Sequence, residues 1–208
     1  MHSGDPLGPV RAYFENTLKV HGLTAKGVDW NSDQARALRF EQLIKIIQTT
    51  QSFSLLDYGC GYGALVDYLR KASLNFQKYI GYDILPAMVT EAKKLYREDE
   101  GIQFTTNLNE VPRVDYAIAC GVFNIKLDAS LDDWTHYVID SLHSIDEHCV
   151  RGFSVNFLTR YSDPDRMRPD LYYADPCFLF DYCKNHFSRN VALLHDYNLY
   201  DFTILVRK

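Results

Sequence analysis

The sequence predicts an α/β fold: a doubly wound, mostly parallel sheet of seven strands with an antiparallel pair at its C-terminal end. Three observations carry that expectation. Short, nearly continuous apolar runs alternate with segments of helical period along most of the 208 residues, as strands buried between two helical layers do. The first run, Phe53–Tyr58, stops at Gly59-Cys60-Gly61-Tyr62-Gly63 and gives way to Ala64, Leu65, Tyr68 and Leu69 at helical intervals. The last two, Val191–His195 and Phe202–Arg207, are separated by a turn too short for a crossover and must pair antiparallel.

In chain order, residues 1–9, with Gly4, Pro6, Gly8 and Pro9, read as a tail without an assigned role. Tyr13, Phe14, Leu18 and Val20 predict a first helix from Arg11 to a stop near Gly22. A second begins after Asn31-Ser32, which can cap it, and carries Ala35, Leu38, Leu43, Ile46 and Ile47. After the glycine loop, a strand over Lys78–Tyr82 runs into Asp83, and Pro86 opens a helix through Tyr96. Strands follow at Ile102–Thr105 and Val114–Ala119, then a helix over Leu131–Glu147, a strand over Gly152–Leu158 and a helix over Cys177–Asn185. The expected division is a tail and helical lid over 1–50 and one compact unit over 51–208.

Composition removes several function classes. With 22 Lys and Arg against 27 Asp and Glu, the net charge is −5, the wrong sign for a protein that neutralises phosphates, so no nucleic-acid partner is expected. No apolar run reaches the ~18 residues of a membrane span, and the first residues lack the basic and apolar regions of a secretory signal. A cytoplasmic protein with no membrane partner is expected. Five cysteines (Cys60, Cys120, Cys149, Cys177, Cys183), with no C-x-x-C or C-x-x-H pair, argue for free thiols over a disulfide framework or zinc site. No metal-ligand cluster and no Ser-His-Asp motif stands out, so no metal requirement is expected. Monomer and homodimer both remain open.

The tightest constellation is Asp57-Tyr58-Gly59-Cys60-Gly61-Tyr62-Gly63, with Asp83 twenty residues after Gly63 at the end of the next strand. Glycines allow a sharp strand-to-helix turn and close approach of a ligand to the backbone, while helix N-terminal N–H groups face the ligand. An acid at the second strand's end can accept two hydrogen bonds from a ribose diol. Gly59-x-Gly61-x-x-Ala64 also satisfies the dinucleotide pattern. A nicotinamide-dependent oxidoreductase is therefore the alternative, although no Tyr-x-x-x-Lys pair supports a hydride-transfer site, and a non-catalytic cofactor-binding protein is a third reading.

Asp57 two positions before the first glycine, the third glycine at 63, and the motifs LLDYGCGYG and YIGYDILPAM in this order resemble the class I S-adenosylmethionine-dependent methyltransferases. The resemblance spans about residues 50 to 208 and is nearest to small bacterial enzymes acting on low-molecular-weight acceptors. It implies a Rossmann-like sheet and S-adenosyl-L-methionine as cofactor. It further implies that Asp57, Gly59, Gly61 and Gly63 surround the methionine part, Asp83 binds the ribose, and Ile84 and Met88 flank the adenine. The family's acid near adenine N6 is replaced here by Thr105-Thr106-Asn107-Leu108, leaving Asn107 as the acceptor candidate. Cys120-Gly121-Val122-Phe123-Asn124 matches the segment beneath the methionine that faces the acceptor. Cys120 and Gly121 thus join the cofactor set, and Asn124 is a catalytic candidate. Trp30, Arg36 and Arg39 fall where related enzymes place a lid; Trp30 is expected near the sulfonium and Arg39 on the methionine carboxylate. The bland reading packs Trp30 between lid and body and leaves the arginines solvated.

Methyl transfer from a sulfonium is an in-line displacement in which holding the reactants roughly 3–3.5 Å apart and excluding water can suffice. A base is optional. His136 and His143 share a helix side with Asp140 and Glu147 and read as a solvated face. His195, at the end of a late strand, is the candidate base beside the alternative of a structural histidine. Arg160, Arg166, Arg168 and Tyr172 follow the carboxyl end of a strand and are the candidate substrate-binding residues for a small polar acceptor, a sugar or sugar-derived metabolite methylated at oxygen or nitrogen. Loop packing explains the tyrosine equally well.

Overall fold

The computed structural model describes residues 7–21 and 32–208. Helix α1 spans Gly8–His21 and α2 spans Asp33–Leu43. Ser32 caps α2 by accepting the Ala35 amide at 3.1 Å, supplying a partner for one of the helix's orphan donors. The chain then alternates β1 (Phe53–Tyr58), α3 (Ala64–Lys71), β2 (Phe76–Tyr82), α4 (Pro86–Leu95), β3 (Ile102–Thr105) and β4 (Val114–Ala119). It continues through α5 (Leu131–Glu147), β5 (Cys149–Thr159), β6 (Tyr173–Ala174), α6 (Pro176–His186), β7 (Asn190–Leu194) and β8 (Asp201–Arg207).

One sheet runs in the order β3-β2-β1-β4-β5-β8-β7, with β6 paired to β5 off that path. β8 is antiparallel to both β5 and β7, and the other pairings are parallel. From β1 the order proceeds through β2 on one side and β4 on the other. The register holds Tyr58 level with both Tyr82 and Ala119, so the carboxyl ends of three strands open a cleft at the point where ligands bind in such sheets.

The Rossmann-like sheet expected from the sequence is present, with one strand more. β6 pairs Tyr173 and Ala174 with Leu158 and Thr159 of β5. β4 reaches only Val155 on β5, and β8 pairs along the other edge as far as Leu158, so β6 occupies the edge that β4 leaves open. A two-residue strand has no period of its own, so no sequence pattern announces it. The second helix also stops at Leu43, three to four residues before the expected Ile46 and Ile47. Ile44–Ile46 instead tighten into a 3-10 turn, with Ile46 in the core.

Two apolar layers cover the sheet. On one face Trp134, Val138, Leu142 and Ile145 of α5 and Leu179 and Cys183 of α6 pack on Leu56, Ile80, Ala117, Phe153 and Val155. Val10 of α1 joins this layer, with Leu7 and Phe14 against it. On the other face Phe40 and Leu43 of α2, Leu65 and Leu69 of α3 and Val89 and Ala92 of α4 enclose Leu55, Tyr79, Tyr116 and Ile118. The Trp134 indole donates to the Phe123 carbonyl at 2.8 Å, anchoring the loop after β4. All five cysteines are free thiols. No helix among the described residues is long and apolar enough to cross a membrane.

A buried polar chain crosses the middle of this arrangement. Arg39 of α2 makes a two-pronged ion pair with Asp201, Nε to Oδ1 at 3.1 Å and Nη2 to Oδ2 at 2.6 Å. Asn156 of β5 donates Nδ2 to the same Asp201 Oδ1 at 3.0 Å and accepts the Gly121 amide on its own Oδ1 at 2.8 Å. Asp201 is 1% exposed and Asn156 fully buried. Removing one member of a buried ion pair leaves an uncompensated charge. Arg39→Ala is expected to cost about 3–5 kcal/mol in urea denaturation. Arg39→Met combined with Asp201→Asn should recover much of that loss, because no buried charge is then left alone.

Candidate active site

The cleft at the strand ends holds a cavity of about 990 Å³, mouth included, lined by Asp57 to Tyr62, Asp83 to Leu85, Met88 and Cys120 to Val122, with Arg36 from α2, Val10 and Phe14 from α1 and Leu7 just before α1. Its floor is the loop between β1 and α3. Gly59 has φ +77°, and a Cβ there would overlap the Val122 side chain. The backbone therefore passes directly beneath the loop after β4. The loop's amides are largely engaged within the protein: Gly59 and Cys60 donate to the Tyr82 carbonyl at 2.7 and 3.0 Å, Gly63 to the Cys60 carbonyl at 2.9 Å, and Gly61 to Asp83 Oδ2 at 2.8 Å. A pyrophosphate needs such donors free. This loop offers a neutral, close-fitting surface instead.

Two buried carboxylates flank that floor. Asp83 accepts the Gly61 amide on one oxygen and the Leu85 amide on the other at 2.9 Å. Burial raises its carboxyl above the usual range, against the pull of these two N–H groups. Carboxylate oxygens accept more than one hydrogen bond, so Asp83 ties the loop down and can still receive hydroxyls. Asp57, 3% exposed, accepts the Tyr79 hydroxyl on Oδ2. Desolvation pushes its carboxyl up to about 7, the Tyr79 bond pulling down and Asp83 pushing further up. Burial likewise raises the Cys60 and Cys120 thiols well above their ordinary value, which leaves both as packing groups rather than nucleophiles.

A second cavity, about 1320 Å³ with its mouth, adjoins the first and shares Phe14 and Gly121 with it. Arg39, Asn124, Ser162, Arg166, Arg168, Tyr173, Asn198, Tyr200 and Asp201 supply its polar lining, and Ile125, Leu158, Leu171 and Leu199 much of the apolar remainder. Arg168 pairs with Asp170, Nε to Oδ1 at 3.0 Å. The Arg166 guanidinium lies over the Tyr200 ring, 5.8 Å from its centroid, and the Tyr200 hydroxyl donates to Asp163. The 160–172 segment and the turn before β8 are thus braced against each other at the cavity's rim.

The structure gathers most of the expected residues and separates the rest. Asp57, Gly59, Gly61, Asp83, Ile84, Met88, Cys120 and Gly121 line the first cavity. Gly63 stands behind the wall as the N-cap of α3, where a Cβ would meet Tyr96 at 2.8 Å. Arg39 faces the second cavity and is engaged by Asp201, whereas Arg36 takes the place over the first, bonded to the Tyr62 hydroxyl and to Asp33 at 2.9 Å. Asn107 is exposed and outside the lining. Its Oδ1 accepts the Asn109 amide at 3.2 Å, a local turn that takes the oxygen assigned to adenine. Trp30 lies outside the described residues.

Of the acceptor-side candidates, Asn124, Arg166 and Arg168 meet in the second cavity. Tyr172 does not: it is buried in the α5 layer with its hydroxyl 3.2 Å from Thr135, and Tyr173 faces the cavity in its place. Arg160 is half exposed and paired with Asp175. His195 is exposed beside Tyr161 and Phe202 rather than in either cavity. Sequence reasoning passed over Asn156 and Asp201, whose signal was a polar residue within, or just before, an otherwise apolar strand. No cluster of three or more His, Cys, Asp or Glu that could hold a metal occurs among the described residues.

Gly81 of β2 lies against this wall, where a Cβ would overlap the Phe104 ring and come within 2.8 Å of Cys60 Sγ. Gly81→Ala is expected to destabilise by about 1–3 kcal/mol through overpacking, measured as a lower denaturation midpoint at unchanged m.

Residues 56–126 match a family model described as a methyltransferase domain. Rv1506c of Mycobacterium tuberculosis, whose name makes it a methyltransferase without a stated acceptor, is 44% identical over 165 residues, 79% of this chain and 99% of that protein. Among solved structures, the N-methyltransferase NodS of Bradyrhizobium japonicum with S-adenosylhomocysteine matches at TM-score 0.64 and 12% identity, covering 95% of this chain and 97% of the other. The DhpI complex with the same nucleoside matches at TM-score 0.61 and 13% identity, covering 95% and 94%. At those identities the two structures have the fold in common with this chain.

Proposed function

This chain belongs to the class I S-adenosylmethionine-dependent methyltransferases, and from that premise we propose that its first cavity holds the cofactor and its second a small polar acceptor. The observation that carries this reading is the meeting of the two cavities at Gly121 and Phe14, above the carboxyl ends of β1 and β4. Family membership decides between the cofactor classes that the glycine pattern left open, and the internally bonded loop amides agree with a ligand that has no pyrophosphate.

When bound, S-adenosylmethionine would supply a sulfonium methyl group whose carbon an acceptor atom attacks in line, the thioether of S-adenosylhomocysteine leaving as the C–S bond breaks. In the proposed arrangement Asp83 accepts the ribose hydroxyls, Ile84 and Met88 form the apolar wall beside adenine, and Gly59, Gly61, Cys120 and Gly121 pass close under the amino-acid end near Asp57. Arg36 takes the carboxylate role that the sequence assigned to Arg39. Leu7, just before α1, and Val10 and Phe14 on it, spaced three and four residues apart, cover the cleft and exclude water. In the second cavity Asn124, Arg166, Arg168 and Tyr173 orient the acceptor. Among the described residues the lining offers no histidine, and Asp201 is held by Arg39, so this reading assigns positioning and desolvation to the residues named here.

Asp83→Ala should weaken S-adenosylmethionine by about 1.5–3 kcal/mol, roughly 10- to 150-fold in Kd by calorimetry. Unchanged affinity would remove Asp83 from the ribose site. Arg166→Ala should raise KM for the acceptor while leaving S-adenosylhomocysteine affinity within about twofold, since a rim residue of the second cavity contributes to acceptor binding alone. A matching loss of cofactor affinity would contradict the division between the two cavities.

A further inference from the structure

Asp57 stands out among the buried groups because the described residues leave it without a cation. It lines the cofactor cavity at 3% exposure, and the Tyr79 hydroxyl takes Oδ2. Oδ1 has no hydrogen-bond donor among the described residues, and no ion pair among them includes Asp57. β2 presents the Tyr79 phenol and, just beyond its end, Asp83, a second carboxylate. The glycine loop presents Cys60, and the loop after β4 presents Cys120, both thiols with raised pKa. The cations of α2 are directed elsewhere, Arg39 to Asp201 and Arg36 to Asp33 and Tyr62.

An ionised carboxylate in such a place is unfavourable without a partner, and the usual resolution is a proton. The cofactor brings two positive centres. Its sulfonium has no hydrogen to donate, whereas its α-ammonium has three N–H donors of the kind Oδ1 lacks. We propose that Asp57 is protonated in the cofactor-free protein and loses that proton to solvent when the cofactor's α-ammonium group enters, so that cofactor binding is coupled to proton release. The Asp57 O–H bond breaks, the proton passes to buffer, and the ammonium keeps all three of its hydrogens while one points to the new carboxylate. This rests on the reading of the first cavity as the cofactor site.

The test is calorimetric titration with S-adenosylhomocysteine, which keeps the ammonium and lacks the sulfonium charge, in phosphate and in Tris at several pH values. The dependence of the observed enthalpy on buffer gives the protons exchanged. With a carboxyl near 7, release should approach one proton at about pH 6 and fall toward zero at about pH 8, with affinity several-fold weaker at the lower pH. 5′-Methylthioadenosine, which lacks the amino-acid end, should bind without releasing a proton. Asp57→Asn, which keeps an oxygen for Tyr79, should bind S-adenosylhomocysteine with no release and with pH-independent affinity. Equal release by the two nucleosides, release undiminished in Asp57→Asn, or none in the wild type overturns the proposal. Failure of wild-type protein to bind S-adenosylhomocysteine at any pH overturns the cofactor-site reading itself, and is distinguishable because it leaves no heat to analyse.

Discussion

The Arg39–Asp201 ion pair and its continuation through Asn156 to the Gly121 amide form the constraint on which the rest depends. Four elements that share little sequence neighbourhood are fixed by it: α2, β8, β5 and the loop after β4. Each partner satisfies another that would otherwise be a buried, unpaired polar group, and such networks are stabilising only when complete. Gly121 is the residue common to this network and to both cavities. The geometry of the junction is thus inherited from a structural network rather than from groups that touch a ligand alone.

Charge on the two sides of the junction is managed differently. In the first cavity, the loop amides bond to Tyr82, Cys60 and Asp83, so few backbone donors are left free, and two buried carboxylates, Asp57 and Asp83, line it. On the other side, three arginines line the cavity, but Arg39 and Arg168 are each matched by an aspartate, leaving Arg166 over the Tyr200 ring as the more adaptable donor. Phe14 of α1 lines both cavities. An enzyme whose chemistry is displacement at a methyl carbon needs this separation of tasks more than it needs a strong base.

Much of the fold was legible because its signals are local. β1, β3 and β4 and α5 have the bounds expected from periodicity alone, and the glycine loop announces the cleft within seven residues. Asp83 was legible for the same reason: strand, acid and proline follow one another directly. What sequence could not supply was the choice among chemically equivalent partners. Arg36 and Arg39 lie on the same helix three residues apart, and only the tertiary position of Asp201 directs Arg39 away from the cofactor cleft. Asn107 was assigned to a ligand although its nearest donor was the amide two residues on. Tyr172 and Tyr173 alternate between core and cavity, a choice set by the short pairing of β6 with β5. The extra strand itself depends on where β4 ends, which no local pattern records.

The most direct test of the two-cavity account is a crystal structure of the protein with S-adenosylhomocysteine. The account predicts the ribose diol on Asp83, the adenine beside Ile84 and Met88, and the sulfur directed past Gly121 toward Asn124 and the second cavity. A nucleoside bound with its sulfur turned away from Gly121, or seated wholly in the cavity that holds Arg166, would contradict it.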